Sequence, residues 1–168
     1  DTVYLCGTFT GENYDGDGAG ISTTTVQFAP TASGTSGNNI VYDGNCPDEA
    51  EDATIVPSAG NVVVVDDGAK TYITLRNLTM EGATTTLIGD GWHAYVSLVR
   101  SGTTVQDPLY WTLEDVTIRG PEGYDPSWDY MACLRLQGSN NILRNVTIHN
   151  CPTDGVFYTG SYSLFEDV

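Results

Sequence analysis

A six-residue pattern recurs along the chain and constrains its fold more than any other feature. The pattern Leu-Xaa-(Asn/Asp)-(Val/Leu)-Thr-(Ile/Met) starts at Leu75, Leu113 and Leu143, and a partial fourth copy starts at Phe165. Apolar residues alternate with polar ones on either side of the Asn or Asp, a residue type that tolerates the left-handed conformation of a tight bend. The starts lie 38, 30 and 22 residues apart, so the copies predict strand-turn-strand units stacked as a parallel β-solenoid.

Each unit is expected to carry a second strand outside the pattern. These strands are predicted at 94–97, 132–135 and 154–157, which align with one another when the units are superposed. The connection from the pattern to this strand is 14 residues in the first two units and only 6 in the third. We therefore expect two long turns to enlarge one corner of the solenoid.

Equal positions in successive units should lie one above the other. Two buried apolar stacks are predicted on this basis: one of Leu75, Leu113, Leu143 and Phe165, and one of Leu78, Val116, Val146 and Val168.

The Asn or Asp of the pattern has two interpretations. Asn77 and Asn145 each begin an Asn-Xaa-Thr glycosylation sequon. Asp115 and Asp167 occupy the same repeat position, however, so side chains stacked there are predicted to bond along the solenoid axis. The stacked arrangement is favoured because the turn geometry explains Asp as well as Asn.

Two N-terminal stretches, 1–10 and 33–44, resemble the first coils of right-handed parallel β-helix proteins of the pectin-lyase-like superfamily. Together with the repeats, the resemblance spans nearly the whole chain. It implies an all-β fold over residues 1–168, a single right-handed, single-stranded parallel β-helix (solenoid) of about five to six coils. Polysaccharide lyases, glycoside hydrolases, phage tailspikes, adhesins and surface proteins share this fold, so the resemblance does not settle function.

The composition is strongly acidic. Asp and Glu number 22 against 6 Lys and Arg, which gives a formal net charge of −16 and makes nucleic acid or an anionic membrane a poor partner. A bare polyanionic sugar is equally disfavoured unless calcium bridges the two, and a solvated acidic shell is the simpler interpretation. No apolar run approaches 18 residues, so no membrane insertion is expected.

The four cysteines predict two disulfides and an oxidising, extracellular or cell-surface location. Three pairings exist for four cysteines. The favoured one joins Cys6 to Cys46 and Cys133 to Cys151, because each bond would tie neighbouring coils. No Cys-Xaa-Xaa-Cys spacing supports a zinc site.

Calcium is the one cofactor that the sequence suggests. Residues 13–18 follow the opening of a calcium loop and include Asp15 and Asp17, but Thr24 stands where an EF-hand needs Glu, so a partial loop competes with an ordinary Gly-rich turn. A second candidate is an acidic cluster beside Cys46, for which solvent exposure is the alternative. Its members are Asp48, Glu49, Glu51 and Asp52.

The enlarged corner is the candidate for carbohydrate binding or catalysis. Aromatic rings there could stack on sugars, and carboxylates with a histidine could act as acid and base. The alternative is that the aromatic residues anchor a long loop to the wall. The aromatic candidates are Trp92, Tyr124, Trp128 and Tyr130, and the catalytic candidates are His93, Asp125, Asp129 and Asp154.

No complete catalytic set is recognisable. Thr153-Asp154-Gly155 resembles a motif of polygalacturonase-like hydrolases, whose further Asp, His and Arg-Xaa-Lys elements would lie beyond residue 168. Calcium-dependent lyases of the superfamily use a Lys or Arg base beside an acidic cluster, whereas Lys70, the only lysine, lies in a plain turn sequence.

Neither end of the sequence shows the amphipathic cap that usually protects a solenoid. We therefore expect a fragment of a longer chain, or copies that stack end to end. The preferred function is an extracellular structural or surface module, self-associating into a fibre or sheath or part of a larger adhesin. The alternative is a secreted carbohydrate-active enzyme, a polysaccharide lyase or glycoside hydrolase, with polysaccharide as its partner.

Overall fold

The computed structural model describes residues 1–11, 30, 32–47, 52–57, 63–64, 70–82, 93–98, 109–120, 131–151 and 153–168. These ranges contain β-strands and no helix, so the described chain is all-β. It follows that no described helix has the length and apolarity needed to cross a membrane. The strands are β1 (Thr2–Tyr4), β2 (Thr8–Gly11), β3 (Ile40–Asp43), β4 (Ala53–Pro57), β5 (Val63–Val64), β6 (Ile73–Glu81), β7 (His93–Leu98), β8 (Thr112–Arg119), β9 (Met131–Gln137), β10 (Ile142–His149), β11 (Val156–Thr159) and β12 (Leu164–Glu166).

The strands form two sheets in which every pairing is parallel. The eight-stranded sheet runs β1-β3-β6-β8-β10-β12, with β4 also paired to β6 and β2 to β4. The four-stranded sheet runs β11-β9-β7-β5. From β5 to β12, consecutive strands therefore fall alternately in the two sheets, as parallel neighbours require a crossover between them.

The register of both sheets confirms the repeat alignment. Leu113 pairs with Leu75 on one side and Leu143 on the other, and Leu143 pairs with Phe165. In the smaller sheet, Ala94 pairs with Ala132, as the predicted second strands require. The differences in spacing between repeats therefore lie in the connections between strands, and the paired strands themselves keep one register.

The apolar stacks are buried in the middle of the large sheet and exposed at its edge. Leu75, Leu113 and Leu143 are at most 1% exposed, but Phe165 is 39% exposed. The prediction that Phe165 and Val168 belong to buried stacks is therefore wrong: Val168 is 54% exposed and outside the strands. The physical reason is that β12 is an edge strand, and no described strand packs beyond it.

The core lies between the two sheets and is almost entirely apolar. Among the described residues, Trp111 is the largest fully buried side chain, and its indole Nε1 donates a 2.8 Å hydrogen bond to the Lys70 carbonyl, which satisfies its one polar atom. The described core residues are Ala53, Ile55, Ile73, Leu75, Leu78, Met80, Leu109, Trp111, Leu113, Val116, Ile118, Cys133, Leu134, Leu136, Leu143 and Val146.

The Asn or Asp of the pattern adopts the predicted left-handed conformation in every copy. The φ angles lie between 50° and 54° at Asn77, Asp115, Asn145 and Asp167. Gly44 precedes Asn77 in this column, one strand earlier. A Cβ there would approach the Asn77 carbonyl oxygen to 1.9 Å, so only glycine fits.

The two disulfides are Cys6–Cys46 and Cys133–Cys151, and the described residues include no free cysteine. This is the pairing favoured from the sequence. Cys133 is at the start of the smaller sheet's β9, and Cys151 follows β10 of the larger sheet, so this bond joins the two sheets. The bonds indicate an oxidising environment for the folded chain.

Candidate functional site

One column of side chains across the large sheet alternates in charge from strand to strand. In strand order its members are Asp43, Arg76, Glu114, Arg144 and Glu166. Arg76 pairs with Asp43 at 2.7 Å, and Arg144 reaches both Glu166 at 2.8 Å and Glu114 at 3.4 Å. Opposite charges directly across neighbouring strands favour this register over a slipped one.

Asp43 is the buried member of this charged column. It is 4% exposed and accepts hydrogen bonds from Arg76 Nε, Asn77 Nδ2 and the Asn45 backbone N–H at 2.7 to 3.0 Å. Burial alone would raise the pKa of this carboxyl, but the hydrogen bonds from Asn77, Asn45 and Arg76 outweigh it and hold the pKa below its usual value. Asp43 is therefore an ionised, fully satisfied anchor between β3 and β6.

The other ion pairs of the large sheet are more exposed. Arg144 and Glu166 are both 46% exposed at their side chains. A second column holds Glu81, Arg119 and His149, with Arg119 Nη2 donating to Glu81 at 2.6 Å. Exposed pairs of this kind add little stability each, so they contribute mainly to strand order.

The predicted side-chain bonding along the Asn/Asp column is present between two strands. Asn145 Nδ2 donates to the Asp115 carboxylate. Asn77 Nδ2 instead donates to Asp43, which lies one residue outside the column. Both sequon asparagines therefore use their amides in contacts with the neighbouring strand.

A further column, which the sequence did not predict, lies in the turns before four strands of the large sheet, β6, β8, β10 and β12. Tyr72, Tyr110, Asn140 and Tyr162 occupy it, and all have φ between 56° and 61°. The rings of Tyr72 and Tyr110 are parallel to within 2°, with centroids 4.6 Å apart. The signal was available: each of these residues stands three positions before the first residue of a copy of the repeat pattern.

Both edges of the large sheet expose apolar side chains. On β1, Val3 is 43% and Tyr4 is 52% exposed. On β12, Leu164 is 45% exposed and Phe165 makes an edge-on contact with Tyr158, with ring centroids 5.4 Å apart. Val3 and Phe165 lie in one register column with the buried Leu75, Leu113 and Leu143.

Most of the residues predicted for carbohydrate binding or catalysis lie outside the described ranges: Trp92, Tyr124, Asp125, Trp128, Asp129 and Tyr130. Two of the predicted residues are placed. His93 begins β7, where its backbone pairs with Met131. Asp154 is exposed, and its carbonyl accepts a 2.9 Å hydrogen bond from the Cys133 N–H. In the small sheet β9 lies between β7, which His93 begins, and β11, which Asp154 precedes, and the catalytic assignment stays a prediction.

The metal candidates Asp15, Asp17, Asp48, Glu49 and Glu51 also lie outside the described ranges, and Asp52 is exposed. Within the ranges that are described, no three His, Cys, Asp or Glu side chains are grouped to hold a metal ion. The calcium prediction stays a prediction.

Comparisons of the chain with protein-family models, with curated proteins and with solved structures found no match. The arrangement of the described side chains is therefore the basis for assigning a function. These side chains hold neighbouring strands together through apolar stacks, hydrogen bonds, ion pairs and disulfides.

Proposed function

We propose that this chain is a structural module of the extracellular or cell-surface type, built as a right-handed parallel β-helix of about five to six coils. Its edge strands pair with a further parallel coil, supplied by another copy of the chain or by the rest of a longer polypeptide. In this role the protein forms part of a fibre, a sheath or a larger adhesin.

The coiled path is supported by the order of the strands. Each strand of the large sheet from β6 to β10 is followed by a strand of the small sheet, and the chain then returns to pair in parallel beside the strand it left. Crossovers between parallel strands are almost always right-handed, because a right-twisted strand packs back onto its sheet only in that sense. Six strands in the main path of the large sheet would then give a stack roughly 25 to 30 Å long.

One observation carries the structural role. The register column of Leu75, Leu113 and Leu143 ends in exposed apolar side chains at both edges of the large sheet. Val3 and Phe165 occupy the position that is buried at Leu75, Leu113 and Leu143. No described strand pairs with the outer side of β1 or β12, and an unpaired strand edge is a template for another parallel strand. A further coil would bury these apolar side chains as the internal coils bury theirs.

The acidic charge sets a condition on association between copies. At a net charge of −16, two copies repel one another, and salt screens the repulsion. Edge-to-edge pairing is therefore expected to strengthen as ionic strength rises.

The test begins with the isolated chain. Sedimentation velocity across concentration and salt should show association that Phe165→Asp abolishes. Thr117→Asp adds the same charge at a partly exposed position on β8, where β6 and β10 pair on both sides, and should leave association unchanged.

An experiment on native material distinguishes the two possible sources of the partner coil. Hydroxyl-radical footprinting should find Phe165 shielded there, with protection lost on dilution if the partner is a second copy and retained if it is the same polypeptide. A Phe165 that reacts as fast in native material as in the isolated monomer would exclude the structural role.

A further inference from the structure

The stacked rings of Tyr72 and Tyr110 form a chemical site that is independent of the sheet edges. The rings are parallel to within 2° at a centroid distance of 4.6 Å. The residues are far apart in sequence and are brought together because they occupy the same turn position on neighbouring strands of the large sheet. We propose that this pair is a site of oxidative dityrosine cross-linking.

The backbone holds the two phenols in place. Both residues have left-handed φ angles, 58° and 56°, and the Tyr72 N–H donates a 3.0 Å hydrogen bond to the carbonyl of Leu109, the residue before Tyr110. The core anchors the residues that follow them, since Ile73 and Trp111 are at most 1% exposed. The fold therefore holds the two rings as neighbours before any reaction. This removes much of the entropic cost of bringing them together.

An oxidant can reach the pair from solvent. Tyr110 is 37% exposed, and Tyr72 is half-buried beside it. The partial exposure also leaves room for the rings to slide and tilt, which they must do to bring two ring carbons to bonding distance. The disulfides place the folded chain in an oxidising environment.

The reaction needs a one-electron oxidant, and a peroxidase with hydrogen peroxide supplies it. Each phenol loses one electron and one proton, which gives two phenoxyl radicals. The radicals combine through the Cε carbons, ortho to the hydroxyls, and form one C–C bond. Each ring then transfers its Cε hydrogen as a proton to its own oxygen, so both phenols are restored. The chain loses two hydrogen atoms, and one hydrogen peroxide is reduced to two waters.

The same column supplies a matched control. Tyr162 is 89% exposed but lies two strands beyond Tyr110, with Asn140 between them. It is the more accessible phenol, so accessibility alone favours cross-links through Tyr162 and between molecules. Stacking favours a cross-link within one molecule through Tyr72 and Tyr110.

The test treats dilute protein with peroxidase and hydrogen peroxide and isolates the monomer. We expect dityrosine fluorescence, a mass lower by two hydrogen atoms, and a digest in which the peptides containing Tyr72 and Tyr110 are joined. Tyr110→Phe keeps the ring stack but removes one phenol, and should lose the intramolecular product. Tyr162→Phe should retain it in full.

The proposal is overturned if the wild-type monomer carries no dityrosine, or if Tyr110→Phe yields as much of it as the wild type. Cross-links found only between molecules would equally exclude it. A second readout checks the consequence for the fold: the cross-linked chain should keep a higher unfolding midpoint than the untreated chain after both are reduced.

Discussion

The side-chain amide of Asn77 donates a 2.7 Å hydrogen bond to the carboxylate of Asp43, across the boundary between β6 and β3. The same carboxylate accepts from Arg76 and is almost completely buried. Asp43→Ala would leave these donors without their acceptor, and we expect it to cost about 2 to 3 kcal/mol of unfolding free energy. Urea denaturation measures the change.

Glu114→Ala is the matched control for this prediction. Glu114 lies in the same charged column, but its partner Arg144 is 46% exposed and its ion pair is 3.4 Å long. Its removal should cost less than about 1 kcal/mol. Equal losses at Asp43 and Glu114 would show that burial of the carboxylate does not matter.

Acid should destabilise the chain in part through Asp43. Because its pKa is lower in the folded chain than in the unfolded chain, its stabilisation is present above the unfolded value of about 3.9 and is lost as pH falls through the lowered folded pKa. The unfolding free energy of Asp43→Asn should therefore fall less than that of the wild type between about pH 6 and pH 3. Parallel curves would exclude this contribution.

Burial predicts different stability costs for two leucine-to-alanine substitutions. Leu113 is 1% exposed between Leu75 and Leu143, so Leu113→Ala should cost about 2 to 5 kcal/mol through lost contacts and the cavity it leaves. Leu164 is 45% exposed on the edge strand. Leu164→Ala should cost clearly less in the isolated monomer, and thermal unfolding compares the two.

The left-handed turn predicts opposite outcomes for two substitutions of Asn145, whose φ is 50°. Asn145→Gly keeps this conformation accessible and loses only an exposed hydrogen bond to Asp115. Asn145→Val places a β-branched residue there and should cost about 1 to 3 kcal/mol more than glycine does. If Asn145→Gly is the more destabilising substitution, the hydrogen bond contributes more to the unfolding free energy than the backbone conformation does.

The disulfides should leave no free thiol. Titration of the unfolded, unreduced chain is expected to find none, and each bond should contribute about 2 to 4 kcal/mol. The Cys6–Cys46 loop closes over a sequence separation of 40, against 18 for Cys133–Cys151. In the chain-entropy model, its removal is the more costly of the two.

The repeat pattern was sufficient to predict the register of most of the large sheet. Leu, Asn or Asp, and Thr recur with the same internal spacing, so aligning the copies places Leu75, Leu113 and Leu143 in one column, as observed. The pairing of Ala94 with Ala132 was also predictable, because that strand follows the pattern after a turn of equal length in both units.

The features that the sequence did not predict lie in parts of the chain where the repeat pattern is incomplete or absent. Asp43 sits in a unit that lacks the Leu-Xaa-Asn motif, so its place above Arg76 and its burial were not predicted. Phe165 matches a core position by pattern, but its burial depends on a neighbouring strand, which a pattern within one unit does not contain. The tyrosine turn lies outside the six-residue pattern, and Asn140 interrupts the series of Tyr72, Tyr110 and Tyr162, so it was not predicted.

The two disulfides also have a mechanical consequence. Under tension applied across the chain, residues between Cys6 and Cys46 and between Cys133 and Cys151 cannot add to its extension while the bonds are intact. The segment between the two covalent loops is then the longest part of the chain that can lengthen under load, and reduction would release the loops as additional length. In a force-extension record, the oxidised chain should therefore be shorter at full extension than the reduced chain.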